Sequence, residues 1–349
     1  MREFDYSFLK GDHSNQVFRL SSLITDINAE ERIKKIQYEN VFDALKKKAL
    51  IDSAVGSSAI EGILTSDKRL KEIFVNKDPM NHDEFEILGY KDALDYIHEH
   101  VDDIDIDEDT ICHLHFLIEK DVDPFQAGKY KNTDNFILEF HSDKTRSVRF
   151  VPIGHKETKQ AVKQLLLAYY DARQDEEIDP LLLSFCFVLD FTCIHPFSDG
   201  NGRVSRLLTL LLLYKAGYDI GKYISIEKQI NKYKEQYYQA LQSSSQRWHE
   251  NKNDYSAFEI FMMQIMYRCY QSLNDSFGEL TFRKNKKNER IRMVLENSLV
   301  PVSKMQIKEL LPDVSIRTIE AELKRLMDEN KIRKIGSYKD ARYLAVRER

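Results

Sequence analysis

Cysteine is scarce and scattered. The four thiols, Cys112, Cys186, Cys193 and Cys269, show no C-x-x-C or other metal-ligand spacing, which argues against a zinc finger and against a disulfide framework. Cys186 and Cys193 stand in apolar surroundings, where a free thiol acts as a small hydrophobe. All four therefore read as structural thiols in a reducing compartment. Proline is equally sparse, seven in 349 residues, so little punctuates a helical pattern. No apolar h-region marks the first residues as a signal peptide. The longest greasy stretch, LLTLLLLY, is far short of the roughly 20 residues a membrane span needs. A cytoplasmic protein with no membrane partner is expected. Internal repeats and low-complexity tracts are also missing.

What is present is an ordinary globular composition: 42% hydrophobic, 31% charged, net charge −5. That is enough apolar material for a sizeable core and two or three structural units. The charge is uneven. From Arg283 onward there are 18 Lys and Arg against 10 Asp and Glu, while the rest of the chain carries 34 against 47. A basic tail on an acidic body points to a polyanion partner for the tail alone.

Apolar residues at three- and four-residue spacing predict helices through most of the chain. DPLLLSFCFVLDFTCI is apolar nearly all round and predicts a central buried helix, ended at His195 by the following Pro196. A second apolar helix is expected from about Asn201 to Tyr214, closed by Gly217. Two β-prone runs, 135–140 and 147–151, predict a lone hairpin whose free edge can capture an extended peptide. QSSSQRWHENKNDYS reads as a connection and TFRKNKKNER as a basic linker. The tail then gives helix, short helix, turn, helix N-capped by Ser315, and a two-strand tip, the order of a winged helix-turn-helix.

The chemistry concentrates in HPFSDGNGRVSR, residues 195–206. Gly200, Asn201 and Gly202 sit where a helix begins, with unpartnered N–H groups and a partial positive charge ready for an anion. Arg203 and Arg206 share a helix face one turn further on and can fork phosphate oxygens. Asp199 offers a carboxylate of the kind that, with phosphate and water, satisfies Mg²⁺. His195 at the loop's mouth can accept a proton at neutral pH, and Phe197 is expected to point into the core and lock the loop. Together these residues predict a diphosphate–Mg²⁺ site at which a hydroxyl attacks a nucleotide phosphate.

At every fixed position this stretch resembles the signature HPFx[D/E]GN[G/K]RxxR of the Fic-domain family. LHFLIEKDVDPFQAGKYKNTDNF, the hairpin and INKYKEQYYQAL also look like family features, so the resemblance covers about residues 50–280. It implies a mainly α fold: a Fic-type helical core with a β-hairpin flap, followed by the small winged helix-turn-helix. The expected division is 1–100 for an N-terminal helical region, 101–280 for the catalytic core and 283–349 for the winged module. The implied activity is transfer of AMP from ATP to a protein hydroxyl, the protein's own included. His195 would be the general base, Asp199 the Mg²⁺ ligand, and Gly200 to Gly202 the anion hole. Arg203 would contact the phosphates and Arg206 the γ-phosphate. Tyr237 and Tyr238 would line the adenine side, and the 135–151 hairpin would align a target protein by strand addition. The chain departs from the family in carrying Ser243 to Ser245 where members often place an asparagine, and Lys131 where the loop commonly has arginine.

SSAIEGI, residues 57–63, resembles the family's inhibitory pattern [S/T]xxxE[G/N] through Ser57, Glu61 and Gly62, on a helix of about 46–63. A glutamate delivered to Arg206 would take the γ-phosphate's place. In some family members this glutamate also serves removal of AMP. The other reading is a DNA-binding regulator whose body senses nucleotide or modifies only itself, with Arg317, Lys324 and Arg325 as DNA contacts. Glu320 and Glu322 on the same helix weigh against that, and protein docking by the tail stays open. So do transfer of a different phosphate-linked group and assembly as a homodimer.

Overall fold

The computed structural model describes residues 2–37, 39–63, 67–74, 78–140, 145–281, 286–298, 301–336 and 341–346. The turn of the expected hairpin (141–144), part of the basic linker (282–285) and the wing tip (337–340) lie outside them.

The chain is mainly helical, as the periodicity predicts. Before the hairpin come α1 (Asn15–Gln37), α2 (Glu39–Ile60), α3 (Asp67–Phe74), α4 (His82–His100) and α5 (Glu108–Glu119). Strands β1 (Ile137–Phe140) and β2 (Arg146–Phe150) pair antiparallel, Leu138 opposite Val148, with a register shift between Ile137 and Leu138. Then follow α6 (His155–Arg173), α7 (Pro180–Ile194), α8 (Asn201–Lys215), α9 (Ile226–Lys232), α10 (Lys234–Ser244) and α11 (Ser256–Thr281). Helices before residue 100 pack into the same core as those after it, α1 on α11, α2 on α9 and α4 on α5. Residue 100 therefore marks no break in the packing.

Helix α7 is the axis of this core. Asp179 caps it by accepting from the Leu181 N–H at 2.8 Å, Pro180 starts it, and every residue but Pro180 and Thr192 is buried; Pro suits a first turn whose N–H has no helical partner. Its one buried carboxylate, Asp190, accepts from Tyr6 (2.9 Å), Trp248 Nε1 (2.6 Å) and Tyr255 (2.9 Å), with Arg2 at 3.4 Å. An unpartnered charge there would be costly. Trp248, in a 3-10 turn within the stretch expected to be a mere connection, is fully buried. The physical reason is this bond to Asp190.

The tail folds as α12 (Lys287–Asn297), β3 (Val302–Ser303), α13 (Lys304–Leu310), α14 (Ile316–Asp328), β4 (Ile332–Ile335) and β5 (Arg342–Ala345). Ser315 caps α14 by accepting from the Thr318 N–H. The tip has one strand more than expected: the sheet order is β3-β5-β4.

Candidate active site

Helix α7 ends by turning His195 into the left-handed region, φ 53° and ψ 60°, while its N–H still donates to the Phe191 carbonyl at 3.0 Å. Pro196 predicts an extended residue here. Closing the helix with a left-handed C-terminal residue wins, at a cost of about 1–3 kcal/mol typical of such backbone. Nδ1 of His195 lies 3.2 Å from the Thr192 carbonyl, a contact that only a protonated Nδ1 satisfies. That leaves Nε2 with its lone pair, the form a base requires. Burial pushes the pKa of His195 down to about 4, with Lys131 and Arg149 adding to the shift.

The loop after His195 is held from four sides. Phe197 is buried and stacks on the His115 ring at 3.8 Å between centroids, as expected of a core anchor. Asn201 folds its side chain back, accepting from Phe197 N–H at 2.9 Å and donating to its carbonyl at 2.8 Å. Its contribution to an anion hole is therefore confined to the backbone. Gly128 N–H donates to Nδ1 of His115 (2.9 Å), which places the His115 proton on Nε2, 3.2 Å from the Asp199 carbonyl. From the root of the hairpin, Lys131 N–H donates to Pro196 O (2.9 Å), and Lys131 Nζ donates to Asn135 Oδ1 (2.8 Å) and Ile194 O (3.3 Å). Asn135 donates in turn to Phe197 O at 2.9 Å. Burial lowers the Lys131 pKa to about 8.

Helix α8 begins at Gly200, whose φ of 75° suits glycine. A Cβ on Gly202 would lie 2.5 Å from Glu61 Oε1 and 3.2 Å from Arg206 Nη1, so the carboxylate rests against the helix N-terminus and the arginine together. Arg206 is buried and donates through Nε to Ser57 Oγ (2.9 Å) and through Nη2 to Glu61 Oε1 (2.8 Å) and Ser57 O (3.3 Å). Sequence reasoning placed Glu61 within a helix of 46–63. Instead α2 runs from Glu39 to Ile60, and Glu61 is carried on the turn that follows, ending at Gly62 with φ 96°.

Arg203 meets partners that the sequence did not point to. Its guanidinium is 3% exposed and lies 2.7 Å from Glu86 Oε2 and 2.9 Å from Glu119 Oε1, which hold it against α4 and α5 while it also lines the cleft. Burial raises both carboxyls, Glu119 to about 7. Asp199 projects outward, 86% exposed at the side chain, with Oδ1 accepting from Gly200 N–H at 2.7 Å.

A cleft of about 1040 Å³ joins these parts. His195, Asp199, the start of α8, Glu61, Arg206, Arg149 of β2, Tyr237 and Tyr238 all line it. Tyr237 is buried at the Arg206 end, its hydroxyl beside Arg206 and Ser205. Tyr238 donates to the Ile60 carbonyl at 3.4 Å and carries Arg149 over its ring at 5.2 Å. Of the three serines at 243–245, Ser244 is buried and accepts from Phe258 N–H at 3.1 Å, while Gln239 and Gln242 reach the cleft. Missing from the sequence reading were His115, Glu86, Glu119 and Asn135. Among them the His115, Glu119 and Asn135 positions fell inside a stretch already singled out, without being named for a role.

The chain is thus a helical protein with a hairpin-edged cleft built around a histidine-led loop and a helix N-terminus. Residues 105–213 match the Fic/DOC family model, so over this stretch the chain is similar to that family. It is 30% identical over 178 residues to protein adenylyltransferase Fic of Drosophila grimshawi, covering 50% of this chain and 35% of that protein. With protein adenylyltransferase fic-1 of Caenorhabditis elegans it shares 28% over 142 residues, 38% and 25% of the two lengths. The match therefore spans about a quarter to a third of these curated relatives. In fold, the chain resembles a Fic family protein from Desulfovibrio desulfuricans G20, with TM-score 0.63, 18% identity, and 97% and 98% of the two chains covered. Fic-1 of C. elegans follows at TM-score 0.55 and 18% identity, over 75% and 72%.

Proposed function

We propose that this protein transfers AMP from ATP to a hydroxyl side chain of a target protein and of itself, and that Glu61 restrains the reaction. One observation carries the reading: His195, with Nδ1 turned to the Thr192 carbonyl, the N-terminus of α8 and Arg206 converge on one cleft. His195 Nε2 takes the proton of the target hydroxyl. The oxygen attacks the α-phosphorus, the new O–P bond forms, and the bond to the β-phosphate breaks to release pyrophosphate. The α8 N–H groups and Arg206 hold the phosphates, supplying charge where the leaving group develops it.

Among the described residues no group of three His, Cys, Asp or Glu is placed to cage a metal. A single outward carboxylate, Asp199, beside an anion site fits Mg²⁺, an ion that keeps several waters and is shared with phosphates. When bound, Mg²⁺ would neutralise phosphate charge. The exposed pair Leu138 and Val148 on β1 and β2 suits the flap to an extended target segment. No described helix is long and apolar enough to cross a membrane.

The test is incubation of the protein with Mg²⁺ and ATP labelled at either the α- or the γ-phosphate. Protein-bound label is expected from the α position alone and is lost in His195→Ala. Label from the γ position would mean phosphate transfer and overturn the reading.

A further inference from the structure

The tail's surface is organised more selectively than its net charge suggests. Helix α14 buries Ile319, Leu323 and Leu326, which leaves Arg317, Glu320, Ala321 and Lys324 as one outward stripe at helical spacing. The two acids that weigh against a polyanion are both engaged. Glu322 is buried and holds Arg325, which donates to it at 2.5 and 3.0 Å. Glu320 accepts from Lys304 at 2.6 Å. Arg325 is thereby removed from the contacts the sequence offers, being also 3.4 Å from Glu329.

The sheet supplies replacements. Residue pairing sets Arg333 opposite Leu344 and Ile335 opposite Arg342. Strand alternation places Arg333 and Arg342 on one face, with the buried Ile332 and Tyr343 on the other. Among the described residues, Arg317, Lys324, Arg333 and Arg342 are exposed and no carboxylate lies within ion-pair distance of any of them. Four unspent cations on a helix stripe and a neighbouring sheet, with the small Ala321 and the Lys304-paired Glu320 between two of them on the helix, match a duplex. The helix can approach a major groove while the strands meet phosphate.

We infer that α14 and the outer face of the β4–β5 sheet form a duplex-DNA binding surface, independent of the transferase reading. The test is fluorescence anisotropy of a mixed-sequence 24-base-pair DNA titrated with the full chain across a salt series. Four phosphate contacts predict a log–log salt slope near −3.6, so affinity falls about 150-fold between 50 and 200 mM salt. The double variant Arg317→Ala/Lys324→Ala is expected to halve the slope, cutting that fall to about 12-fold. Its fold is checked by thermal melting, and labelling by ATP, measured on the same preparations, is expected to be unchanged. No binding at 50 mM salt, or a slope untouched by the double variant, overturns the inference. Specific retention of a protein by the wild-type stripe without DNA binding also overturns it, reassigning the face to protein docking. Failure of ATP labelling alone would refute the transferase reading and leave this one standing.

Discussion

Replacing Glu61 by glycine is expected to raise the initial rate of labelling by ATP about 10- to 100-fold, as follows from a charge-assisted bond of about 1.5–3 kcal/mol and 1.4 kcal/mol per tenfold. The contact at stake is the 2.8 Å bond from Arg206 to Glu61. Two unit charges about 4 Å apart attract by about 4 kcal/mol at an effective dielectric of 20 and about 1 in water. The Glu61 side chain is 36% exposed, so solvent screening places the contact between those limits. Two things hold the gain down. Arg206 keeps its bonds to Ser57 in the variant, and the turn can still occlude part of the cleft through Ile60 and Ile63, which line it. The assay follows transfer of α-labelled AMP at saturating Mg²⁺ and ATP, with Glu61→Gly/His195→Ala as the zero. Equal initial rates for wild type and Glu61→Gly would refute the brake. A gain that survives in the double variant would refute the base.

Other outcomes are expected together. With its pKa pushed down to about 4, His195 stays unprotonated at neutral pH, so labelling by Glu61→Gly should show no acid limb between pH 5.5 and 8; a limb near 6.5 would count against a desolvated base. Lys131→Met removes the donors to Ile194 O and Asn135 and should slow labelling about 10-fold or more through loop misplacement, with Lys131→Arg recovering most of it and thermal stability little changed in either. Glu259 is buried with a carboxyl raised to about 7. A raised acid stabilises the fold only while protonated, so its contribution is lost as pH rises from 4.5 to 7, up to about 3 kcal/mol. Thermal melting of Glu259→Gln should therefore match wild type at pH 5 and exceed it at pH 8.

Where local rules act alone, the sequence was readable. The buried α7, the start of α8 at Asn201, its closure at Gly217 and the Ser315 cap each depend on a few adjacent residues, and each stands as expected. The left-handed His195 was not readable, because the rule for a residue before proline competes with helix closure and nothing local decides between them. Nor could Trp248 be read as buried, since its partner Asp190 is far away in sequence. The buried Glu86 and Glu119 look like ordinary helix carboxylates until the fold sets them around Arg203. Site residues that contact the loop from distant helices leave no local spacing to find.

The two arginines of α8 show why that long-range arrangement matters to the chemistry. They share a face and a motif, and the sequence assigns both to phosphate. Arg203 faces two carboxylates embedded in helices α4 and α5 with side chains 8% and 4% exposed. Displacing either would leave a buried charge unpaired, at a cost of several kcal/mol. Arg206 faces one carboxylate, on a turn beyond the last residue of α2 and next to a glycine of positive φ. Withdrawal of that group into water costs little beyond the contact itself. An incoming phosphate can therefore compete for Arg206 more readily than for Arg203. Arg203 instead ties the start of α8 to α4 and α5, so that the N–H groups and Arg206 face the cleft before any ligand arrives. Replacing Glu119 by glutamine should accordingly loosen the loop and lower the labelling rate without the activation expected at Glu61, although both residues are glutamates paired to the same helix.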